Sequence, residues 1–153
     1  MTRKSTWAAI QHLIPKDKVL WEAFRGNGQS AKFLRELGFE VICKEEDFFK
    51  SDIPANSICC SNPPFFVTDR IFRRLYENDV PFILIVPLCK ITTQYFKQIF
   101  KTDEERSNIQ MIVPAKRIQF DNVCNPTCKD KCSFDTIYLC YKIGLKQQII
   151  WLD

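Results

Sequence analysis

The apolar run Pro81–Pro87 limits the possible folds of this 153-residue chain more than any other segment. Its residues are almost all apolar, so it lacks the polar–apolar alternation of a strand with one face in water. A run of this kind is typical of a parallel strand that is covered on both faces. We therefore expect an α/β sandwich with a mainly parallel sheet.

Helical and extended patterns alternate over the rest of the chain. The predicted helices are Thr6–Leu13, Ser30–Leu37, Thr68–Tyr76 and Gln94–Phe100. The other predicted strands are Val19–Phe24, Phe39–Cys43, Ser57–Ser61, Ile109–Val113, Arg117–Phe120 and Thr136–Ile143. We expect the last two strands to pair as a C-terminal antiparallel hairpin, and the polar stretches Lys101–Asn108 and Asp121–Ser133 to be loops. At this length, residues 1–153 are expected to form a single domain.

The composition is that of a globular protein, because 46% of the residues are hydrophobic. The net charge of +4 permits an anionic partner without requiring one. No apolar run approaches the length of a membrane span, and no signal-peptide pattern opens the chain. We expect a soluble intracellular protein, cytoplasmic or nuclear, whose thiols at Cys43, Cys59, Cys60 and Cys140 are reduced and mostly buried.

The tetrapeptide Asn62-Pro63-Pro64-Phe65 directly follows the predicted strand Ser57–Ser61. Two consecutive prolines cannot continue a sheet ladder, because neither has an N–H group and both have a fixed φ. They predict a stiff turn with a side-chain amide before it and an aromatic ring after it. An amide, a rigid carbonyl-bearing turn and a ring can together hold a flat group that carries an amine, so this segment predicts a binding site.

A glycine-containing segment, Glu22–Gly28, follows the first predicted strand. Its glycines permit a tight turn and the close approach of a ligand to the backbone. An ordinary strand-to-helix loop explains the same residues equally well, because the third glycine of the dinucleotide fingerprint and the lysine of a P-loop are missing. Glu22 favours a site, since a carboxylate at the end of an apolar strand needs partners.

An acidic and aromatic segment, Glu45-Glu46-Asp47-Phe48-Phe49, follows the second predicted strand. An acid at this position binds ribose hydroxyls in α/β nucleotide folds, and the adjacent rings favour an aromatic wall for a base. A solvated acidic turn is the alternative. Because ligands bind at the carboxyl ends of the strands in such sheets, we expect all three segments to meet in one site.

Together these segments resemble class I S-adenosylmethionine-dependent amino-methyltransferases with an (Asp/Asn/Ser)-Pro-Pro-(Tyr/Phe/Trp) motif, and N6-adenine methyltransferases most of all. The resemblance extends from about Thr6 to Tyr141 and implies a Rossmann-like class I methyltransferase sandwich without a separate target-recognition domain. It implies S-adenosylmethionine as cofactor. The cofactor-binding residues that it implies are Trp7, Glu22, Ala23, Phe24, Gly26, Gly28, Glu45, Asp47, Phe48 and Asn62.

The chain departs from this family between the second and third predicted strands. The segment between Val41 and Asp47 is very short for the family, so the usual third strand and its helix are expected to be absent or compressed. This departure leaves Glu45 and Glu46 as alternatives for the ribose-binding acid.

The resemblance implies methyl transfer to the N6 amine of adenine in DNA or RNA, with Asn62, Pro63, Pro64 and Phe65 as the catalytic residues. The Asn62 side-chain oxygen and the Pro63 carbonyl would accept the two amine hydrogens, and Phe65 would stack on the base. Two alternatives stay open. One is a protein glutamine-N5 methyltransferase, which usually has Tyr after the prolines and an additional N-terminal helical domain. The other is a non-catalytic methyltransferase-like subunit that binds nucleic acid or a partner protein.

Four basic side chains, Arg70, Arg74, Lys116 and Arg117, are candidates for binding nucleic-acid phosphates together with Phe65. A solvated helix face explains the arginines equally well. The sequence is compatible with a partner subunit or a homo-oligomer.

Three cysteines, Cys124, Cys128 and Cys132, are regularly spaced before the last predicted strand. Structural zinc sites more often have two-residue spacers and need four ligands, so a fourth ligand would have to come from Cys140, Cys89, His12 or another chain. A reduced loop without metal is the favoured interpretation, and no other metal site is predicted.

Overall fold

The computed structural model describes residues 1–121 and 134–153. The strands are β1 (Val19–Trp21), β2 (Val41–Ile42), β3 (Ser57–Ser61), β4 (Phe82–Pro87), β5 (Ile109–Val113), β6 (Thr136–Tyr141) and β7 (Ile149–Trp151). They form a seven-stranded sheet in the order β2-β1-β3-β4-β6-β5-β7. Strands β1 to β4 are parallel to one another, while β6 runs antiparallel to both β4 and β5. The protein is therefore an α/β protein with a mostly parallel, mixed sheet.

One helix precedes the first strand, and the others fall between strands. They are α1 (Lys4–Ile10), α2 (Gln29–Glu36), α3 (Thr68–Glu77), α4 (Gln94–Ile99) and α5 (Asp103–Ser107). Short 3-10 turns follow α1 at Gln11–Leu13 and precede α3 and α4 at Phe65–Val67 and Leu88–Thr92.

Strand β4 is buried on both faces of the sheet. Its residues Phe82, Leu84 and Val86 pack into an apolar cluster with α3 and α4. On the opposite face, Ile83 and Ile85 pack into a second cluster with α1 and α2. The interpretation of the run Pro81–Pro87 as a parallel strand covered on both faces is thus confirmed.

The prediction of the C-terminal hairpin was wrong for one of its two strands. Arg117–Phe120 forms only an isolated bridge between Phe120 and Thr2, and the antiparallel neighbour of β6 is β5. Apolar residues in Arg117–Phe120 alternate with polar ones, and this is the same pattern that a half-buried strand has. Ile118 instead packs as a buried residue into the apolar cluster with α1 and α2.

Two further elements were not predicted from the sequence. Helix α5 lies within the stretch Lys101–Asn108, which was expected to be a loop. A capping box starts it, because the Thr102 side chain accepts from the Glu105 N–H at 3.1 Å while the Glu105 carboxylate accepts from the Thr102 N–H at 2.7 Å. Strand β7 is short and half exposed, and it exists because it pairs with β5.

Residues 43–56, between β2 and β3, contain no helix or strand. The expectation of an absent or compressed third strand and helix is therefore correct. Among the described cysteines, Cys59, Cys60 and Cys140 are buried free thiols, and Cys43 is a half-buried one. No helix in the described part of the chain combines the length and the apolar character that crossing a membrane requires.

Candidate functional site

A cavity of about 730 Å³ lies at the carboxyl ends of β1, β2 and β3. Its volume is in the range of roughly 300–1,000 Å³ that is typical of small-molecule sites. Predicted site residues that line it are Ala23, Phe24, Gly26, Glu45, Asp47, Phe48, Asn62, Pro63, Pro64 and Phe65. The three segments meet because β1 lies between β2 and β3, so that the loops after neighbouring parallel strands end on the same edge of the sheet.

Asn62 is the residue of the cavity whose hydrogen bonding is incomplete. Its Nδ2 donates to the Thr2 Oγ1 at 3.0 Å. Its Oδ1 is buried and accepts no hydrogen bond from the described residues. A buried acceptor without a donor costs about 1–3 kcal/mol, so a ligand that donates a hydrogen here would be favoured.

The two prolines direct the chain away from the sheet, as the sequence predicts. Pro63 is buried, and Pro64 has φ −65° and ψ 124° just before the 3-10 turn Phe65–Val67. Helix α3 then begins at Thr68. Asn62, Pro63 and Phe65 thereby line the cavity from one short, stiff segment.

Glu22 is a buried acid next to this cavity. It is 1% exposed and accepts hydrogen bonds from the Ser61 hydroxyl and, at 3.1 Å, from the Phe24 N–H. Burial raises the pKa of Glu22 to about 8, and the two hydrogen bonds offset only part of that increase. Glu22 lines a smaller adjoining cavity of about 110 Å³, which Asn62 also lines. A cation bound there would favour the ionised carboxylate.

The glycine turn is shaped by two left-handed residues. Gly26 has φ +53° and Gly28 has φ +81°, a region that favours glycine over residues with a side chain. The Gly28 N–H closes the turn by donating to the Arg25 carbonyl at 2.8 Å. Gly28 lines neither cavity, so its contribution is to let α2 begin directly behind the turn.

The segment after β2 supplies an aromatic wall. Asp47 caps its own turn, because its Oδ1 accepts from the Phe49 N–H at 2.9 Å. Phe48 is 4% exposed, and its ring centre lies 4.6 Å from that of Phe24 and 5.6 Å from that of Trp21. Phe48 is therefore a fixed part of the wall, and Asp47 holds the backbone that presents it.

Both candidates for the ribose-binding acid line the cavity. Glu45 is exposed and forms an ion pair with Arg25, which ties the loops after β1 and β2 together. Glu46 lies 3.8 Å from the Nζ of Lys44. The geometry keeps Glu45 and Glu46 as alternatives.

Arg74, a candidate for phosphate binding, is bonded to the loop after β2. Arg74 is half-buried, and its two terminal nitrogens donate to the carbonyls of Phe49 at 3.2 Å and Ser51 at 2.6 Å. Its guanidinium also lies 5.4 Å from the ring centre of Phe48. Arg74 supports the aromatic wall from behind, whereas Arg70 is exposed on the same helix.

Lys116 and Arg117 are not brought to the Asn62 cavity. They line a separate groove of about 720 Å³ together with Arg3 and Trp151. Arg117 donates to Asp135 Oδ1 at 2.8 Å. These two basic residues therefore lie away from the predicted catalytic segment, although Phe120, which follows them, lines its cavity.

Trp7, an expected cofactor contact, lies in the core of the structure. Trp7 is fully buried in the cluster beneath α1 and α2, and its indole N–H lies 3.4 Å from the Ser30 hydroxyl. Its side chain lines neither cavity of the site. Trp7 is a core residue that supports α2.

Sequence reasoning missed several residues of the site, among them Thr2, Ser61 and Phe120. Thr2 bonds to Asn62, Ser61 bonds to Glu22, and Phe120 lines the main cavity. Ser61 carried a usable signal, since it is a polar residue at the end of a buried strand and directly precedes Asn62. Thr2 carried none, because its partner is sixty residues away in the chain.

The cysteines Cys124, Cys128 and Cys132, which were weighed as zinc ligands and interpreted as a reduced loop, lie outside the described residues. Within residues 1–121 and 134–153, no three His, Cys, Asp or Glu side chains are grouped closely enough to hold a metal ion.

The arrangement can hold a flat group against Phe48, an amine near the Asn62 oxygen and a cationic group near Glu22. Comparisons with models of protein families, with curated proteins and with solved structures found no match to this chain. The chemistry of the cavity therefore carries the functional assignment.

Proposed function

We propose that this protein is an S-adenosylmethionine-dependent methyltransferase that acts on the N6 amine of adenine in DNA or RNA. The observation that carries the proposal is the buried, unpartnered Oδ1 of Asn62 in a cavity of about 730 Å³ at the carboxyl edge of a mostly parallel sheet. The order of the strands, with β6 reversed between β4 and β5, is compatible with the Rossmann-like sandwich of class I methyltransferases.

The residues of the cavity fit the cofactor part by part. Phe48 and Phe49 offer apolar surface for its adenine, and Glu45 or Glu46 offers a carboxylate for the ribose hydroxyls. The turn at Gly26 and the buried Glu22 would take its methionine part. When bound, the cofactor supplies a methyl group on a positively charged sulfur.

The protein's own residues would position and activate the acceptor amine. In the ground state, the lone pair of the adenine amine is delocalised into the ring and is a poor nucleophile. Hydrogen bonds from the amine to the Asn62 Oδ1 and the Pro63 carbonyl increase the electron density on nitrogen and fix its direction. Such fixed electrostatics and positioning are the main sources of rate enhancement in this kind of site.

Phe65 would hold the plane of the base. It lines the same cavity as Asn62, and base–aromatic stacking contributes roughly 1–3 kcal/mol. A base in a duplex would have to leave the helix to reach this position, at a cost of a few kcal/mol.

A methyl-transfer assay with a tritiated methyl group tests the proposal. Duplex DNA, single-stranded DNA, structured RNA and protein are compared as acceptors, and digestion with mass spectrometry identifies the methylated base. We expect label on N6 of adenine in a nucleic acid. Label on glutamine, or no transfer to any acceptor although the cofactor binds, would overturn the assignment.

A further inference from the structure

Three large apolar side chains are exposed along the same edge of the sheet as the candidate site. Phe66 is 86% exposed, Phe134 is 50% exposed and Leu88 is 44% exposed. Phe66 follows β3, Leu88 follows β4 and Phe134 precedes β6, and these three strands are neighbours in the sheet. Because β6 is antiparallel to β4, its first residues lie at the carboxyl edge of β4. All three side chains therefore belong to one edge.

Phe66 adjoins the mouth of the cavity, and Leu88 and Phe134 lie close to each other farther along the same edge. Phe66 is the next residue after Phe65, which lines the cavity. The N–H of Leu88 donates to the carbonyl of Asp135 at 2.9 Å, so that Leu88 lies next to the residue that follows Phe134. Exposed apolar groups that gather beside a site mark an interaction surface more often than isolated ones do.

Positive charge accompanies this apolar surface. Arg70, four residues after Phe66 on α3, is exposed, and its guanidinium lies 4.1 Å from the ring centre of Phe49. Lys90, which is half-buried, belongs to the 3-10 turn that begins at Leu88. Exposed rings interleaved with cations are typical of surfaces that bind unpaired nucleic-acid strands, where bases stack on the rings and phosphates meet the cations.

We propose that Phe66, Leu88 and Phe134 form an apolar rim that packs against the bases on either side of the target adenine, with the two phenylalanine rings stacking on them. This proposal rests on the proposed function and deepens it, because it makes the substrate a nucleotide within a strand whose neighbouring bases are unstacked. Apolar side chains that enter between base steps also stabilise an opened duplex. The rim therefore favours single strands, loops or an extruded base over an intact helix.

The test is a binding measurement that does not depend on methyl transfer. An adenine-containing oligonucleotide carries a fluorescent purine analogue, quenched by stacking, next to the target adenine. Affinity and quenching are measured for the wild type, Phe66→Ala and Phe66→Tyr. Ile149→Ala is the matched control, because Ile149 is 40% exposed but lies on the outermost strand β7.

We expect Phe66→Ala to bind the oligonucleotide on the order of tenfold more weakly and to lose most of the quenching. Phe66→Tyr keeps a ring and should resemble the wild type, and Ile149→Ala should change neither quantity. Circular dichroism shows whether each variant remains folded, which an 86% exposed position favours.

Unchanged affinity and quenching in Phe66→Ala, or no binding of the oligonucleotide by the wild type, would overturn the rim. The rim would also be refuted if Phe66→Ala changed only the self-association measured by sedimentation, because Phe66 would then contact a second protein molecule. Transfer assays separate the two proposals. If the wild type transfers methyl groups and Phe66→Ala binds the oligonucleotide like the wild type, the rim alone is refuted. If the wild type transfers no methyl group but the quenching still depends on Phe66, the methyltransferase is refuted and the rim is retained.

Discussion

The amide nitrogen of Asn62 donates to the hydroxyl oxygen of Thr2 at 3.0 Å, and this bond decides which end of the amide is left without a partner. With Nδ2 engaged, Oδ1 is the buried atom that no described residue satisfies. An amide presented in this way is an acceptor for an incoming N–H group. Thr2 is itself 4% exposed, so the bond is shielded from water.

Thr2→Val should lower methyl transfer by about tenfold with little change in cofactor affinity. Valine keeps the shape of threonine but cannot accept the Asn62 Nδ2–H, so the amide is no longer fixed in one orientation. The measurements are kcat and KM for the nucleic acid, with calorimetry for the cofactor. Thr2→Ser retains the hydroxyl and should restore kcat. Equal kcat values for the valine and serine variants would show that the bond does not position Asn62.

Asn62→Ala should reduce kcat at least on the order of 10²-fold, because losing one positioned hydrogen-bond partner of a reacting group commonly costs that much. Cofactor binding should stay nearly intact, since most of the cavity wall comes from the other two loops. Single-turnover transfer of a tritiated methyl group gives the rate.

Asn62→Asp is the matched variant for this prediction. It keeps an oxygen acceptor of the same size, so we expect it to retain more activity than Asn62→Ala. Full activity of the alanine variant on a verified substrate would refute the role of the amide.

Because Glu22 is buried, we expect the free energy of unfolding to decrease as the pH rises. The pKa of Glu22 is about 8 in the folded state against an ordinary value of 4.5, so the folded state binds the proton more tightly than the unfolded state does. The resulting stabilisation is fully present below about pH 4.5 and is lost as the pH rises to about 8. Urea unfolding of the wild type should reveal a decrease on the order of a few kcal/mol over this range.

Glu22→Gln should remove this contribution, because glutamine keeps a neutral side chain at every pH. The comparison of the two proteins at each pH isolates Glu22 from the other titrating groups. A parallel pH dependence in both proteins would mean that Glu22 is not the group responsible.

Cofactor binding at pH 7 should release protons if the cofactor's ammonium group lies near Glu22. The carboxyl, whose pKa is about 8, is mostly protonated before binding, and a neighbouring positive charge favours its ionised form. Calorimetry in two buffers with different ionisation enthalpies measures the number of protons released. Glu22→Gln should bind S-adenosylmethionine without this part of the proton release.

Arg74→Ala should destabilise the fold by about 1–3 kcal/mol and weaken cofactor binding, because two backbone carbonyls would lose a charged donor. The affected segment carries Phe48 and Phe49, which form the aromatic wall. Arg73→Ala provides the control, since Arg73 is exposed on the same helix. Urea unfolding compares the two, and equal stabilities would contradict the supporting role of Arg74.

Much of the fold was predictable, because it depends on local patterns of apolar residues. Ser57–Ser61 and Ile109–Val113 were predicted with the bounds that the structure has. The capping box at Thr102 and Glu105 was an available local signal that was overlooked. Strand β7 was less accessible, since Ile149–Trp151 is a short segment that hydrogen-bonds only after β5 has formed.

The sequence by itself determined that Pro63 and Pro64 end a strand and that parallel strands carry the site at their carboxyl ends, because proline geometry and apolar periodicity act over a few residues. Only the tertiary structure decided that Thr2 orients Asn62, that Ser61 meets Glu22 and that Arg74 supports the wall. These contacts join residues that are 60, 39 and 23–25 positions apart, and no local pattern specifies such partners. They are decided by the way α1, α3 and the loops pack around the sheet, which determines the hydrogen bonds and the pKa of the buried groups.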